Sequence, residues 1–172
     1  AYILALPATT TLKDQSGNKV SESRFYYDSQ SIGSVNKGNL TKGENWKSAS
    51  SYASSTKTYN SYGLVTQEAD PRGKITTYAY DTYNLYPATT TNPLSQTFAY
   101  TYDYSAGKPK QVKDSNNLIF QTVFDGLDRV KEEKQPDQTT PSTLVTKTSY
   151  TYTDNVVPTV VQKTDNLNSA TS

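Results

Sequence analysis

Apolar and aromatic residues alternate with polar residues along much of the chain. The alternation is clearest in three segments, residues 75–81, 97–103 and 118–124. In the second of these, Phe98, Tyr100 and Tyr102 fall on one face. A period of two residues is typical of β-strands, because successive side chains point to opposite faces of a sheet. No segment is predicted to be a helix, so we expect an all-β fold.

A short polar segment follows each of these predicted strands. Asp, Asn and Gly are concentrated there, and they favour tight reversals of the chain. Return strands are then predicted at residues 64–69, 85–91, 108–113 and 129–134. The unit is therefore a β-hairpin of about 22 residues, and the chain is a meander of such hairpins. Pro87, Pro109 and Pro158 fall within return strands, where proline cannot donate to a ladder, so we expect bulges, strand starts or an edge there.

An aromatic residue followed by Asp or Asn marks one point of each hairpin. Successive copies are separated by 32, 21, 22 and 22 residues, and Tyr152 belongs to a weaker copy 28 residues beyond Phe124. Such regular self-similarity indicates a repeat architecture. The structural repeat positions are Tyr27, Asp28, Tyr59, Asn60, Tyr80, Asp81, Tyr102, Asp103, Phe124 and Asp125. The two long steps predict longer loops within residues 43–56 and 135–143.

The whole chain, residues 1–172, is predicted to be one repeat array. The expected hairpin units are residues 1–27, 28–59, 60–80, 81–102, 103–124, 125–152 and 153–172. A strand is also predicted at residues 2–6 and a turn at residues 165–168. Both ends of the array therefore look like cuts through a longer repeat protein. In such an array each hairpin is expected to contact mainly its neighbours.

The composition removes several classes of function. The chain has no cysteine and no histidine, which excludes disulfides, thiolate nucleophiles, a Ser-His-Asp triad and Cys- or His-ligated metals. With 17 basic and 16 acidic residues the net charge is +1, which gives no electrostatic footprint for nucleic acid. No apolar run is long enough for a membrane-spanning helix. We expect no enzyme activity, no catalytic residue, no metal site and no cofactor.

The segment from Tyr59 to Asp81 carries the most specific signature. It combines an aromatic–Asn pair, a glycine, a strand, an Asp-Pro-Arg-Gly turn and the sequence Thr-Thr-Tyr-Ala-Tyr-Asp. Together with residues 124–130 it resembles the RHS or YD-repeat family. That family includes bacterial polymorphic-toxin shells, the B and C components of insecticidal toxin complexes, wall-associated proteins and the teneurin ectodomain.

The resemblance covers residues 20–165 approximately and carries an expectation for the fold. It implies β-hairpins that coil into a curved or spiral sheet, which in the family can close into a hollow shell around a toxin. The core motif that ends such shells, with its autoproteolytic site, is not recognisable in this sequence, and neither is a toxin domain.

Several residues admit a chemical as well as a structural interpretation. The repeated carboxylates could pair as acid and base, but their identical place in every unit favours caps of the hairpin turns. Glu132 and Glu133 are adjacent on a predicted strand, so they point to opposite faces and are interpreted as solvated charges. The tyrosine stripes are expected to pack across strands. Trp46 lies outside the repeat pattern and is a possible ligand contact, although burial against the sheet is favoured.

These observations predict a structural segment of a large secreted or cell-surface bacterial protein, which builds a β-sheet shell wall or an extracellular fibre. Its partners would be the rest of a longer parent chain, or other copies joined through exposed strand edges. One alternative is part of the cocoon of a polymorphic-toxin delivery system, with an encapsulated toxin. Another is a carbohydrate-binding adhesin. Neither nucleic acid nor a membrane span is expected.

Overall fold

The computed structural model describes residues 5–154 and 160–166, and these ranges contain strands and turns but no helix. The expected all-β fold is confirmed. The strands are β1 (Thr9–Lys13), β2 (Lys19–Tyr27), β3 (Leu40–Ser48), β4 (Ser51–Tyr59), β5 (Val65–Ala69), β6 (Ile75–Tyr80), β7 (Pro87–Thr91), β8 (Thr97–Asp103), β9 (Lys108–Lys113), β10 (Ile119–Phe124), β11 (Val130–Pro136), β12 (Leu144–Thr153) and β13 (Val160–Asp165).

The strands follow chain order in the sheet, as in a meander. The chain divides into two units, residues 5–84 with 91–95, and residues 85–90 with 96–154 and 160–166. In the first unit, β1 to β6 are joined by successive antiparallel pairings. In the second unit, β8 to β13 are joined in the same way. Within each of these two series, strands that follow one another in the chain are therefore antiparallel neighbours.

The extra residues between the repeat positions Tyr27 and Tyr59 do not form a loop where the sequence predicts one. The loop predicted within residues 43–56 is wrong, because these residues belong to β3 and β4, which form a hairpin with Trp46 opposite Tyr52. Short Ser, Thr and Ala side chains fit a pleated sheet without an apolar alternation, and this hid the strands. The longer connection is at residues 28–39, between β2 and β3. The second long step contains a connection at residues 137–143.

The N-terminal region also differs from the sequence prediction. Ala5 and Leu6 belong to no strand, and the rest of the strand predicted at residues 2–6 lies outside the described residues. The first strand is instead β1, whose Thr-Thr-Thr-Leu-Lys sequence has no alternation to reveal it. The turn predicted at residues 165–168 begins at the end of β13, and its second half is also outside the described residues.

Two of the three prolines in the return strands stand where a missing donor is tolerated. Pro87 is the first residue of β7. Pro109 is the second residue of β9 and pairs with Tyr102 where the register shifts. The expected strand start and bulge therefore both occur, because a ladder interrupted at these points needs no N–H from proline. Pro158 lies outside the described residues.

The bulges recur at the aromatic repeat positions. The register shifts by one residue where Tyr27 pairs with β3, where Tyr59 pairs with β5 and where Phe124 pairs with β11, as it does at Tyr102. An extra residue on one strand increases the local twist and redirects the side chains beside it. The aromatic residue near the end of one hairpin is thereby positioned against the first residues of the next strand.

The described residues contain almost no enclosed core. Tyr27 is the one buried hydrophobic side chain among them, at 7% exposure, and Thr148 is the one buried polar residue. Cross-strand pairs and turn contacts, rather than a covered interior, therefore provide most of the side-chain contribution to stability.

Candidate functional site

The repeated tyrosines make the same contact in five hairpins. Each lies at or near the end of the second strand of its hairpin, and its hydroxyl donates to a backbone carbonyl at the start of the first strand or, for Tyr27, two residues before it. The bonds are Tyr27 to Pro7 at 3.1 Å, Tyr59 to Leu40 at 2.7 Å, Tyr80 to Val65 at 2.9 Å, Tyr102 to Pro87 at 3.1 Å and Tyr152 to Val130 at 2.7 Å. These contacts, here called tyrosine anchors, join the open end of each hairpin.

Phe124 stands at the anchor position of the β9–β10 hairpin but has no hydroxyl. The pairing of Phe120 with Val112 places Phe124 opposite Lys108. In the other hairpins the accepting carbonyl belongs to the residue that follows the opposite residue in the chain. Val65 is in this position relative to Tyr80. The carbonyl of Pro109 is therefore the expected acceptor here. The Lys108 ammonium lies 5.4 Å from the centre of the Phe124 ring, in cation–π range.

Replacing Phe124 by tyrosine should raise the free energy of unfolding by about 1 kcal/mol, because the new hydroxyl completes the missing anchor. Urea denaturation of the two chains measures the difference. The matched control is Phe120→Tyr on the same strand, where the ring is 42% exposed and a change within about 0.5 kcal/mol is expected. Equal effects of the two substitutions would contradict the anchor.

Asp or Asn side chains cap most of the turns. One side-chain oxygen accepts from the backbone N–H groups two and four residues further on in the turns that begin at Asp14, Asn60, Asp70, Asp114 and Asp125. The fourth residue of these turns has a left-handed backbone, for example Gly63 with φ +79° and Asp128 with φ +58°. This geometry favours Gly, Asn or Asp at that place.

The capping hydrogen bonds determine the protonation of these carboxyls. The Lys74 N–H group holds the pKa of Asp70 below its ordinary value, and the Arg129 N–H group does the same for Asp125. Hydrogen bonds within its own turn lower the pKa of Asp103, and the one from the Ser105 hydroxyl contributes most. A general acid needs a raised pKa, so these carboxylates are suited to capping rather than to proton transfer.

Asp28 caps a much longer connection. Its carboxylate accepts from the backbone N–H groups of four consecutive residues, 36–39, at 2.7 to 3.0 Å. The Gly38 N–H group makes the largest contribution, and the pKa of Asp28 falls to about 2. The single carboxylate thus holds the last four residues of the 28–39 connection, although its place in the repeat is that of an ordinary turn cap.

Arg129 joins two successive repeats. Its Nε donates to Asp125 Oδ2 at 2.8 Å, and its Nη2 donates to Asp154 Oδ2 at 2.8 Å. The guanidinium carbon lies 4.0 Å from the centre of the Tyr152 ring. The Asp154 carboxylate, followed by Asp125, raises the pKa of Arg129. Sequence reasoning missed this residue, although its position four residues after the capping Asp125 was a usable signal.

Trp46 is half-buried within a charged and aromatic cluster of the first unit. Its Nε1 donates to the Ala49 carbonyl at 2.9 Å, and the Lys19 ammonium lies 4.9 Å from a ring centre. Tyr52, opposite Trp46, donates its hydroxyl to Glu22 at 2.6 Å. The Lys19 ammonium therefore lies over one face of the indole ring. The proposed ligand contact at Trp46 stays a prediction.

Glu132 and Glu133 do not act as a pair. Glu132 is 3.2 Å from the Lys134 ammonium, whereas Glu133 accepts from the Tyr150 hydroxyl. Within the described ranges no three His, Cys, Asp or Glu side chains are grouped closely enough to hold a metal ion. No helix long and apolar enough to span a membrane occurs in the part of the chain that the structure describes.

The second unit has an open concavity of about 630 Å³ along β9 to β13. Val112, Phe120 and Thr122 contribute to its lining, with Lys163 and Asp165 near the last strand. The Thr148 hydroxyl donates to Asp165 at 2.7 Å. The lining combines apolar surface with charged side chains, among them Lys163 and Asp165, which form an ion pair at 3.1 Å.

Anchors, capped turns and chain-order pairing together define a β-hairpin repeat protein. Residues 59–97 match the sequence model of the RHS repeat family, so this part of the chain is similar to an RHS repeat, and the resemblance expected from the sequence is confirmed. The matched segment runs from the Tyr59 anchor through β5, β6 and β7. No curated protein matches the sequence.

Solved structures of Tc toxins share the fold. The chain is similar to the Tc holotoxin pore of Photorhabdus luminescens, with a TM-score of 0.60, 16% identity and coverage of 86% of this chain and 8% of that chain. For TcdB2-TccC3 the TM-score is 0.53 and the identity is 17%, with coverage of 92% of this chain and 8% of that chain. For TcdB2-TccC3-Cdc42 the TM-score is 0.58 and the identity is 17%, with coverage of 91% of this chain and 9% of that chain. This chain thus spans less than a tenth of the length of these chains.

Proposed function

We propose that this chain is a non-enzymatic structural segment of a longer, toxin-associated RHS/YD-repeat protein, in which its hairpins form part of a shell wall. The observation that carries the proposal is a repeated sheet with almost no enclosed core. Side chains on such a sheet remain exposed unless further parts of a larger assembly cover them. The Tc toxin chains with the same fold are more than ten times longer, which agrees with a segment of this kind.

Secretion and encapsulation belong to this proposal. A shell wall would enclose a toxin as its cargo, and the parent protein would act outside the cell that makes it. The capped turns support this role, because caps and anchors stabilise each hairpin locally and allow an array to be extended unit by unit.

Self-association into a fibre is the second candidate, and strand β1 favours it. All five residues of β1 are exposed, and β2 is its one paired neighbour among the residues that the structure describes. The Phe25 N–H group donates to the Ala8 carbonyl. Along an antiparallel strand every second residue has its N–H and carbonyl groups directed at the partner strand. The Thr11 N–H, three residues after Ala8, is therefore directed away from β2. An outward row of backbone groups can pair with another chain.

Negative-stain electron microscopy of the parent protein, at the length made by the cell, distinguishes the two candidates. Closed hollow particles would support the shell wall, and long uniform filaments would contradict it. Filaments that disappear in Thr11→Pro would establish edge pairing, because proline removes the outward donor without breaking the β1–β2 ladder. Thr10→Pro is the matched control that breaks this ladder. Solid particles without a cavity would contradict both candidates.

A further inference from the structure

Three tyrosines form a cluster in the second unit. The rings of Tyr86 and Tyr102 are stacked, with centroids 4.5 Å apart and planes inclined by 16°. The Tyr104 ring lies 6.0 Å from Tyr86 and is tilted by 46°. The Tyr86 hydroxyl lies against Gly107, where a Cβ would be 3.1 Å away, and the Tyr102 hydroxyl donates to Pro87. The hydrogen bond to Pro87 therefore holds the Tyr102 ring in place, and the Tyr86 ring stacks on it.

The stack of Tyr86 on Tyr102 makes a different contact from the tyrosine anchors, and it therefore permits a different reaction. An anchor places a hydroxyl against a carbonyl, whereas the stack places two phenol rings in direct contact. Near-parallel rings with centroids 4.5 Å apart are in van der Waals contact across their faces. Two tyrosyl radicals couple at the carbons beside their hydroxyls, and these carbons belong to the two rings in contact.

We propose that Tyr86 and Tyr102 form an oxidative cross-linking site, which a peroxide and a haem peroxidase convert to dityrosine. Each phenol loses one electron and one proton to give a phenoxyl radical. A carbon–carbon bond then forms between the two rings, and the two hydrogens on the joined carbons move to the oxygens as the rings regain aromaticity. Hydrogen peroxide takes up the two electrons and two protons and becomes two waters. The chain loses two hydrogen atoms.

Neither ring is shielded from an oxidant by a protein core. Tyr86 and Tyr102 are half-exposed, and Tyr104 beside them is 50% exposed. A tyrosine that is exposed but unstacked can also be oxidised, yet its radical must find a partner by diffusion. The stacked pair needs no such search, so coupling inside one molecule should occur ahead of coupling between molecules.

The cross-link would close residues 86–102 into a covalent loop. This loop contains β7 and most of β8, together with the turn between them. Closing a loop restricts the unfolded chain and so favours the folded one. The gain matters for this protein because its hairpins have little buried surface to stabilise them.

Treating the native chain with hydrogen peroxide and a peroxidase at high dilution tests the proposal. We expect dityrosine fluorescence whose yield per chain is independent of protein concentration, and a mass decrease of two hydrogen atoms. Chymotrypsin cleaves after Phe98 and separates Tyr86 from Tyr102 in the unmodified chain. After oxidation, the peptides that contain these two residues should remain joined.

Three variants and unfolding in urea identify which tyrosines the cross-link joins. Tyr86→Phe keeps the stacked ring but cannot couple, so the intramolecular product should fall to the background of the unoxidised chain. Tyr62→Phe, at a residue 72% exposed, and Tyr104→Phe should leave the yield unchanged. Unfolding in urea should remove the preference for this pair. A yield that survives Tyr86→Phe, or joined peptides that instead contain Tyr104 or Tyr62, would overturn the assignment.

Discussion

Replacing Tyr27 by alanine is expected to lower the free energy of unfolding by about 3 kcal/mol, which is at the lower end for the loss of an aromatic side chain. Tyr27 is the one buried hydrophobic residue among those described, at 7% exposure, and its hydroxyl donates to Pro7. Alanine removes the packed ring and the anchor together. Urea denaturation followed by circular dichroism measures the change.

Two further substitutions separate the ring from the hydroxyl. Tyr27→Phe keeps the ring and should cost about 1 kcal/mol, the usual net value of one hydrogen bond. Tyr62→Ala, at a tyrosine 72% exposed, should change the stability by less than about 0.5 kcal/mol. If Tyr27→Ala cost no more than Tyr62→Ala, buried aromatic residues at the repeat position would not support the sheet.

Replacing Arg129 by alanine is expected to lower the urea midpoint more than any other removal of a single surface charge. The substitution breaks the contacts with Asp125 and Asp154 and uncovers the Tyr152 ring. Arg129→Lys should restore little of the loss, because an ammonium cannot form the forked contact with Asp154 while it also reaches Asp125.

Arg72→Ala is the matched control for this experiment. Arg72 is 84% exposed and contacts the carboxylate of its own turn, Asp70, at 3.3 Å. Its removal should change the urea midpoint little, since exposed ion pairs contribute little. High salt should reduce the effect of Arg129→Ala but not abolish it, because the stacking on Tyr152 does not depend on ionic attraction alone. Equal midpoints for the two alanine variants would show that Arg129 does not join the repeats.

The predicted strands agree with the structure where aromatic residues alternate with polar ones, as they do at Phe98, Tyr100 and Tyr102. Alternation is a local property, and a strand with one stripe of large side chains displays it directly. The hairpin of β3 and β4 was missed because serine, threonine and alanine leave no such stripe. In a sheet with almost no core, small polar residues are as acceptable on either face as aromatic ones.

In the candidate site, too, local contacts could be predicted from the sequence and contacts over long separations could not. The turn caps could be inferred, since an Asp or Asn side chain reaches N–H groups only two to four residues away. The contact of Arg129 with Asp154 spans 25 residues, and the stack of Tyr86 on Tyr102 spans the whole of β7 and the following turn. Contacts over such separations depend on the register between strands, which the spacing of residues does not specify.

The amino-acid sequence by itself determined the all-β class, the period of the hairpins and the chemistry of their turns, because each of these arises within a few consecutive residues. The tertiary structure alone decided which carbonyl each tyrosine reaches, where the longer connections lie and which repeats Arg129 joins. One-residue bulges at Tyr27, Tyr59, Tyr102 and Phe124 set these choices. A bulge redirects every side chain that follows it, and no alternation of apolar and polar residues records its position.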